Sequence, residues 1–325
     1  MINGRPLKKR TTNVKWTGIS SANQRRVVEA IRGGIPKAVK TIGWLLKLII
    51  PISLAVRLLQ YTGLLEYIAH FLHPVFQAVG LPGASAIAFV CSLFLPLYAP
   101  IAIIGTLHLT IREISILAIM CLISHNTLFE SAVQKKTGSS FWFVWCLRVV
   151  MSFVAAFIWN LLLPEDMGMP VGHSGVSLET LAFWPMLLDW GMGALKLCLI
   201  MALVVTALMI LQRLMEAFYV MDWLAHFFAP FMRVMGLSKD SSFLWFVANI
   251  VGLTYGSAIL IEQMENKRLN VADARMLNNH LAISHSLLED TMLFVAIGVP
   301  LFWVSVPRVL LAMAVVWVLR LLRVR

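Results

Sequence analysis

Two short stretches of the chain combine a hydroxyl, an imidazole and a carboxylate within seven residues. The first, Ser124 to Glu130, reads Ser-His-Asn-Thr-Leu-Phe-Glu, and the second, Ser284 to Asp290, reads Ser-His-Ser-Leu-Leu-Glu-Asp. The serine, the histidine and the last carboxylate recur at one constant spacing of 160 residues. Side chains of these types can bind a polar solute, coordinate a cation or pass a proton, because they combine donors, acceptors and titratable groups.

Helical geometry divides each stretch into two polar points. Asn126 and Glu130 are four residues apart and share one helix face, whereas His125 is turned about 140° from Glu130 and need not touch it. We therefore expect His125 to be available to the other stretch. Two interpretations remain open: the side chains bond one another between helices, or they line a path for a substrate or ion. The candidate lining residues are Ser124, His125, Asn126, Glu130, Ser284, His285, Ser286 and Asp290.

The composition indicates that these stretches lie inside a membrane. The 325 residues are 59% hydrophobic and only 13% charged, and the mean hydropathy is +0.82. Soluble domains are about 45–50% apolar and about 25% charged. Since a transmembrane helix needs about 20 apolar residues, the length allows roughly ten crossings. The predicted fold class is an all-α polytopic membrane protein.

The charge distribution predicts the orientation in the membrane. The net charge is +11, and its lysines and arginines crowd the first forty residues and the last six. Basic ends beside hydrophobic segments are typical of the cytoplasmic side, so we expect a multi-pass inner-membrane protein with both termini cytoplasmic and no nucleic-acid partner. Residues 165–180 contain Glu165, Asp166 and Glu179 but no lysine or arginine, which places this linker outside the cytoplasm.

Helix-breaking residues interrupt one apolar segment in each half of the chain. Pro96 and Pro100 fall within residues 84–107, and Gly252 and Gly256 fall within residues 243–261. We expect these helices to be kinked or broken at mid-membrane. The two glycines also match the small-x-x-x-small packing pattern, which is an equal alternative. Tyr98 and Tyr255 stand beside the breaks and are candidate gate or substrate-stacking residues, or else core aromatics.

The two halves align as an internal repeat. A shift of 156 residues places Arg57 on Arg213 and His70 on His226, and after a four-residue insertion in the 262–270 loop the shift becomes 160 and places Arg148 on Arg308. Glu66 falls on Asp222 in the same way. The histidine–carboxylate pairs could shuttle protons or fix interfacial helices, and the arginines are expected to be structural partners of the carboxylates or interface anchors.

The repeat and the orientation together predict two copies of opposite topology. Each half must cross the membrane an odd number of times, either with five helices or with three and a re-entrant pair that includes 64–79 and 218–235. Inverted repeats with interrupted helices are the sequence signature of secondary transporters. The predicted organisation is a basic cytoplasmic arm (1–40), a first membrane repeat (41–164), an extracytoplasmic linker (165–180) and a second membrane repeat (181–325). Within the arm, we expect Gly33, Gly34 and Pro36 to break any helix.

Catalytic and cofactor motifs are missing from the sequence. It contains no H-E-x-x-H, Walker or G-x-S-x-G pattern. The four cysteines are scattered through apolar segments and predict neither disulfides nor a metal site. We therefore expect no enzyme activity, no cofactor and no metal. An intramembrane hydrolase would need a nucleophile–base pair that the sequence does not indicate.

The two Ser-His stretches, each followed by an apolar helix with an arginine, resemble the nucleoside-recognition or Gate domain family over about residues 42–322. The chain is most similar to a pair of spore-maturation membrane proteins of that family, as if the two were fused. The resemblance implies an inner-membrane protein with two Gate repeats. The inverted repeats predict a transporter or channel that moves a small polar solute or ion by alternating access, and the carboxylates and hydroxyls of the two stretches suit H+ or Na+ as coupling ion. The alternative is a non-transporting membrane protein in spore or envelope maturation. The expected partners are the lipid bilayer, the solute or ion, and a second copy in a homo-oligomer.

Overall fold

The computed structural model describes residues 21–168, 182–266 and 269–322, and within these ranges the chain forms helices and no strand. Seven helices make up the first half. They are α1 (Ser21–Tyr61), α2 (Leu64–Gln77), α3 (Ser85–Phe94), α4 (Tyr98–Ile104), α5 (Ile111–Ser124), α6 (Thr127–Lys136) and α7 (Phe141–Leu162).

The second half repeats this order. Its helices are α8 (Phe183–Ala217), α9 (Val220–Phe228), α10 (Ser242–Ile250), α11 (Leu253–Glu265), α12 (Val271–Ser284), α13 (Glu289–Val295) and α14 (Leu301–Leu321). Short 3-10 turns at Ala229–Arg233 and Lys239–Ser241 connect α9 to α10.

The helix ends show how closely the halves correspond. A shift of 156 carries the end of α1 onto the end of α8, and a shift of 160 carries both ends of α5 onto those of α12. The extra residues lengthen α11, which continues to Glu265, so the insertion lies near the predicted 262–270 loop. The repeat is therefore visible in the element order, while the opposite orientation of its copies stays a prediction.

The chain is a polytopic membrane protein. Five stretches of the described chain are long and apolar enough to cross a membrane: Asn23–Tyr61, Ile111–Lys136, Phe141–Leu162, Phe183–Ala217 and Leu301–Leu321. The other apolar segments form shorter helices, some of them in pairs joined at a break. Among the described residues the chain therefore does not form the roughly ten uninterrupted spans that its length allows.

Helix α1 differs from the expected N-terminal arm. The sequence predicted that Gly33, Gly34 and Pro36 would break any helix before residue 41, but α1 runs without a break from Ser21 to Tyr61 and contains both Pro36 and Pro51. Packing overrides propensity here: α1 lies along α8, and Gly34 fits closely against Ile210. Residues 1–20, most of the linker at 169–181, and Lys267 and Arg268 lie outside the described residues.

The motif-bearing helix α5 lies at the centre of the protein. Its residues from Ile114 to Ser124 are all buried, and it packs against α3, α7, α12 and α14. The long helices α7, α8 and α14 are only about a quarter buried and present apolar side chains outward. This is the arrangement expected of outer helices that face lipid around a protein core.

Candidate functional site

Each polar motif forms a break between two helices. Helix α5 ends at Ser124, His125 is extended, Asn126 adopts a left-handed conformation with φ of 47°, and α6 begins at Thr127. Helix α12 ends at Ser284 in the same way, with His285 extended and Ser286 at φ of 51°. The helical geometry that the sequence analysis applied across each motif is therefore interrupted, because one residue of each motif has a left-handed backbone conformation.

Neighbouring helices hold both breaks in place. The backbone N–H of Asn126 donates to the carbonyl of Ser92 in α3 at 2.6 Å, and that of Ser286 donates to the carbonyl of Ala248 in α10 at 3.2 Å. Ser92 and Ala248 are equivalent under the 156-residue shift. Each break thus packs on a short helix of its own half, α3 before the interruption at Pro96 or α10 before the interruption at Gly252. The backbone groups freed at the break find partners inside the protein.

The two histidine rings face one another across the halves. The centroids of His125 and His285 are 5.0 Å apart with an interplanar angle of 37°, and both residues are buried. Nδ1 of His125 lies 3.1 Å from the carbonyl of Cys121, and Nδ1 of His285 lies 2.9 Å from that of Leu281. Because a carbonyl only accepts, Nδ1 must carry the proton in each ring, and Nε2 points into the cluster.

Glu130 lies between the two imidazoles. Its Oε1 is 3.3 Å from Nε2 of His125, and its Oε2 is 3.1 Å from Nε2 of His285. Asp290 approaches from the second half, with Oδ2 at 3.3 Å from Nε2 of His125. The helical-wheel expectation that His125 and Glu130 need not touch is corrected here, because the turn at Asn126 folds α6 back toward the imidazole.

Two fully buried arginines complete the cluster, and they were not among the candidate site residues. Arg148 donates from Nε to the carbonyl of Ile123 at 2.7 Å and from Nη2 to that of His125 at 2.9 Å, and its Nη1 is 2.6 Å from Oε2 of Glu130. Arg308 donates from Nη2 to the carbonyl of His285 at 2.9 Å. Each arginine therefore binds a carbonyl that the helix break leaves without an intrahelical partner. The repeat of Arg148 at position 308 was the sequence signal for this role.

The predicted serines are less central than their spacing indicated. Ser124 Oγ donates to the carbonyl of Met120 at 2.7 Å, within its own helix. Ser284 Oγ bonds Nδ1 of His280 at 2.8 Å and the His280 carbonyl at 3.1 Å. Ser286 is buried beside Gly252, whereas Asn126 is half-buried and its side chain forms no capping bond. The histidines and carboxylates thus meet, and Ser124 and Ser284 are satisfied elsewhere.

The helix-breaking residues have separate roles. Pro96 stands between α3 and α4, and the preceding Leu95 is extended, as the residue before a proline prefers. Pro100 lies in the first turn of α4, where its missing N–H costs nothing. Gly252 separates α10 from α11 with φ of 104°, whereas Gly256 lies inside α11 against Ala248.

Of the remaining candidates, Tyr98 borders the cluster, because its hydroxyl interacts with Glu289, the residue next to Asp290. Tyr98 is buried and its ring contacts Trp44 edge-on, with centroids 6.4 Å apart. The side chains of Tyr255 and Glu66 are outside the described part of the structure. His70, His226 and Asp222 are exposed, so the expected pair of Asp222 and His226 lies at the protein surface. The anchor arginines pair locally, Arg57 with Asp189 at 3.0 Å and Arg213 with Glu216 at 4.0 Å.

A third carboxylate, that of Glu289, lies beside the cluster and was missed by the sequence analysis. Glu289 accepts from Nε2 of Gln212 at 3.4 Å and interacts with the hydroxyl of Tyr98. Gln212 also donates to the carbonyl of Ile250 at 2.9 Å, at the end of α10. Glu289 directly precedes Asp290, but the first motif has Phe129 at the equivalent position. A comparison of the two repeats therefore did not identify Glu289 as a candidate.

Comparison with known proteins places these observations in a family. A family model described as nucleoside recognition (Gate) matches residues 42–139. The uncharacterized membrane protein YvoD of Bacillus subtilis (strain 168) is 30% identical over 301 residues, an alignment that covers 87% of this chain and 92% of YvoD. No solved structure matches the chain significantly.

Proposed function

Since the chain belongs to the Gate (nucleoside recognition) family of membrane proteins, we propose that its two broken-helix motifs line a path that moves a small polar solute or ion by alternating access. In this proposal both termini face the cytoplasm across a cell inner membrane, and residues 165–180 face the other side. The chain carries no catalytic step and no cofactor. The polar groups of the two histidine motifs bind the solute or ion in passing.

The contact between His125 and Asp290 is the observation that carries the proposal. It joins a histidine of the first motif to a carboxylate of the second at 3.3 Å, beside a large cluster of buried hydrophobic residues. A charged side chain in a spanning segment costs about 2.5–3.5 kcal/mol on insertion scales. Well-packed apolar residues would often stabilise the same space equally well. An expensive polar cluster between two repeats is therefore better explained by binding than by packing alone.

The broken helices support the same interpretation. Irregular backbone at membrane depth is tolerated where it is buried in protein or lines a cavity, and transporters place their sites at such breaks between repeats. The His125–Asn126 break and the His285–Ser286 break lie close together, because their imidazole rings are in contact. A relative movement of the two halves would separate Asp290 from His125 and open the cluster to one side of the membrane.

Reconstituted protein provides the test. Proteoliposomes would be assayed for proton flux with a trapped pH-sensitive dye, for sodium-driven current, and for uptake of radiolabelled uridine and adenosine. The expected result is flux of at least one of these solutes that falls by about tenfold or more in Asp290→Asn and Glu130→Gln. Glu165→Gln, which neutralises an exposed carboxylate, is the matched control and should retain the flux. Flux that is unchanged in the double variant would overturn the proposal.

A non-transporting role in spore or envelope maturation is the second candidate, and the arginines favour it. Arg148 and Arg308 bond the carbonyls at the breaks, which is what a purely structural cluster would do. This candidate predicts that the Glu130→Gln and Asp290→Asn double variant still recruits its protein partner in an affinity purification. Loss of flux in a variant that still recruits this partner would favour transport instead.

A further inference from the structure

We infer that His125, His285 and Asp290 form a binding site for a divalent transition-metal cation. The inference rests on the proposed function, because it names the ion that the same cluster would take. Each of the three residues offers one ligand atom, and these atoms all lie within 4.8 Å of one another. Two imidazole nitrogens and one carboxylate oxygen are a ligand set typical of zinc and similar borderline cations.

The spacing of the ligand atoms fits such an ion. In a tetrahedral zinc site with bonds of about 2.0–2.1 Å, neighbouring ligand atoms lie about 3.3 Å apart. Nε2 of His125 and Oδ2 of Asp290 are separated by 3.3 Å. The ligand atom that His285 offers lies within 4.8 Å of both others. Three protein ligands leave a fourth position open, as in sites that exchange a bound group.

The tautomers of the two histidines are already those of metal ligands. Each Nδ1–H is held by a backbone carbonyl, of Cys121 for His125 and of Leu281 for His285. This outer contact orients the ring and leaves the lone pair of Nε2 directed into the cluster, as is usual for metal-binding histidines. Nε2 of His285 is buried and has no hydrogen-bond partner within the described residues. A cation or a proton must satisfy it.

Glu130 favours cation binding electrostatically and is not needed as a ligand. Its carboxylate lies 3.3 Å and 3.1 Å from the two Nε2 atoms and places negative charge beside the cation. In the neutral-imidazole state, the carboxylates and the two imidazoles present only acceptors to one another. That arrangement is repulsive unless a positive species lies between them, and a divalent cation bound by both rings and by Asp290 supplies that charge.

The charges of the cluster indicate exchangeable rather than permanent binding. Glu130 and Asp290 are balanced by Arg148 and Arg308, so a divalent ion adds two net positive charges to a buried region. Glu289, which adjoins Asp290, offsets part of this charge. A site that must take up and release its ion during transport needs this moderate affinity, whereas a structural zinc site would have more thiolate or carboxylate ligands.

Zinc binding by the purified protein tests the inference. Full-length protein in lipid nanodiscs would be titrated with Zn²⁺ by calorimetry and with Co²⁺ by absorption spectroscopy. We expect one ion per chain and a loss of affinity of about tenfold or more in His285→Gln and in Asp290→Asn. His70→Ala removes an exposed imidazole far from the cluster in sequence and should bind as the wild type does. Asp290→Asn keeps the side-chain volume, and its thermal unfolding would verify that it folds.

The possible outcomes distinguish failure of the metal site from failure of the proposed transport function. Absence of zinc binding, or equal binding by wild type and both cluster variants, would overturn the metal site; a proton flux that still depends on Asp290 would leave the proposed function standing. Zinc binding that depends on His285 and Asp290, without flux of any solute, would support the site and overturn transport. Zinc uptake into proteoliposomes that His285→Gln abolishes would support both.

Discussion

Glu130 and Asp290 occupy equivalent positions in the two repeats, but only Glu130 contacts the arginine of its own repeat. Oε2 of Glu130 lies 2.6 Å from Nη1 of Arg148, whereas Oδ2 of Asp290 reaches across to His125 at 3.3 Å. Nε and Nη1 of Arg308 have no hydrogen-bond partner within the described ranges. The aspartate is one methylene shorter than the glutamate, and this difference makes the two halves unequal at their point of contact.

Neutralising Glu130 should destabilise the protein. Glu130→Gln removes the negative charge that faces Arg148 and leaves a fully buried guanidinium without an ionic partner. Breaking one side of a buried ion pair typically costs about 3–5 kcal/mol. We expect a clear fall in the midpoint of thermal unfolding of the detergent-solubilised protein. Glu165→Gln, at an exposed position, should leave the midpoint unchanged, and an equal fall in both variants would contradict the assignment.

Lengthening Asp290 should restore the symmetry of the two halves. In Asp290→Glu the carboxylate can reach Arg308 as Glu130 reaches Arg148, and a new hydrogen bond to a charged group is worth about 1.5–3 kcal/mol. We expect higher thermal stability together with a lower transport rate, because the carboxylate leaves His125. The stability gain should disappear when Arg308 is replaced by methionine in a double-mutant cycle. A gain that survives this replacement would show that the arginine is not the new partner.

The two glycines of the second half should respond to alanine for different reasons. Gly252→Ala places a side chain at φ of 104°, a backbone conformation that costs a non-glycine residue about 1–3 kcal/mol. Gly256→Ala brings a Cβ within 2.9 Å of Cβ of Ala248, and such overpacking also costs about 1–3 kcal/mol. Both losses would be measured by thermal or denaturant unfolding.

Gly33 is the matched control for these substitutions. An added Cβ meets nothing within 4 Å, and the residue lies inside α1. Gly33→Ala should therefore stabilise the protein by about 0.5–1 kcal/mol, the usual gain from alanine inside a helix. Destabilisation by Gly33→Ala equal to that at positions 252 and 256 would refute the conformational explanation.

The sequence predicted the repeat and its polar pairs because the serine, the histidine and the carboxylate of one motif recur 160 residues later in the other. It could not predict that His125 and Glu130 touch, since that contact depends on a left-handed turn at Asn126 which the carbonyl of Ser92 stabilises from another helix. It also placed a break at Gly33 and Pro36 that α1 does not have. Local propensity does not reveal which irregularities a neighbouring helix will correct.

The opposite orientation of the repeats can be tested at two equivalent exposed residues. Trp142 and Phe302 lie near the starts of α7 and α14 and are related by the 160-residue shift. If the copies are inverted, Trp142 lies on the cytoplasmic side with Lys135 and Lys136, and Phe302 lies on the other side. Single cysteines would be introduced at the two positions in a background without the four native cysteines. A membrane-impermeant maleimide should label Phe302→Cys in intact cells and Trp142→Cys only after permeabilisation. Labelling of both from the same side would mean that the copies run parallel, and the cluster would then lack the inverted symmetry on which alternating access depends.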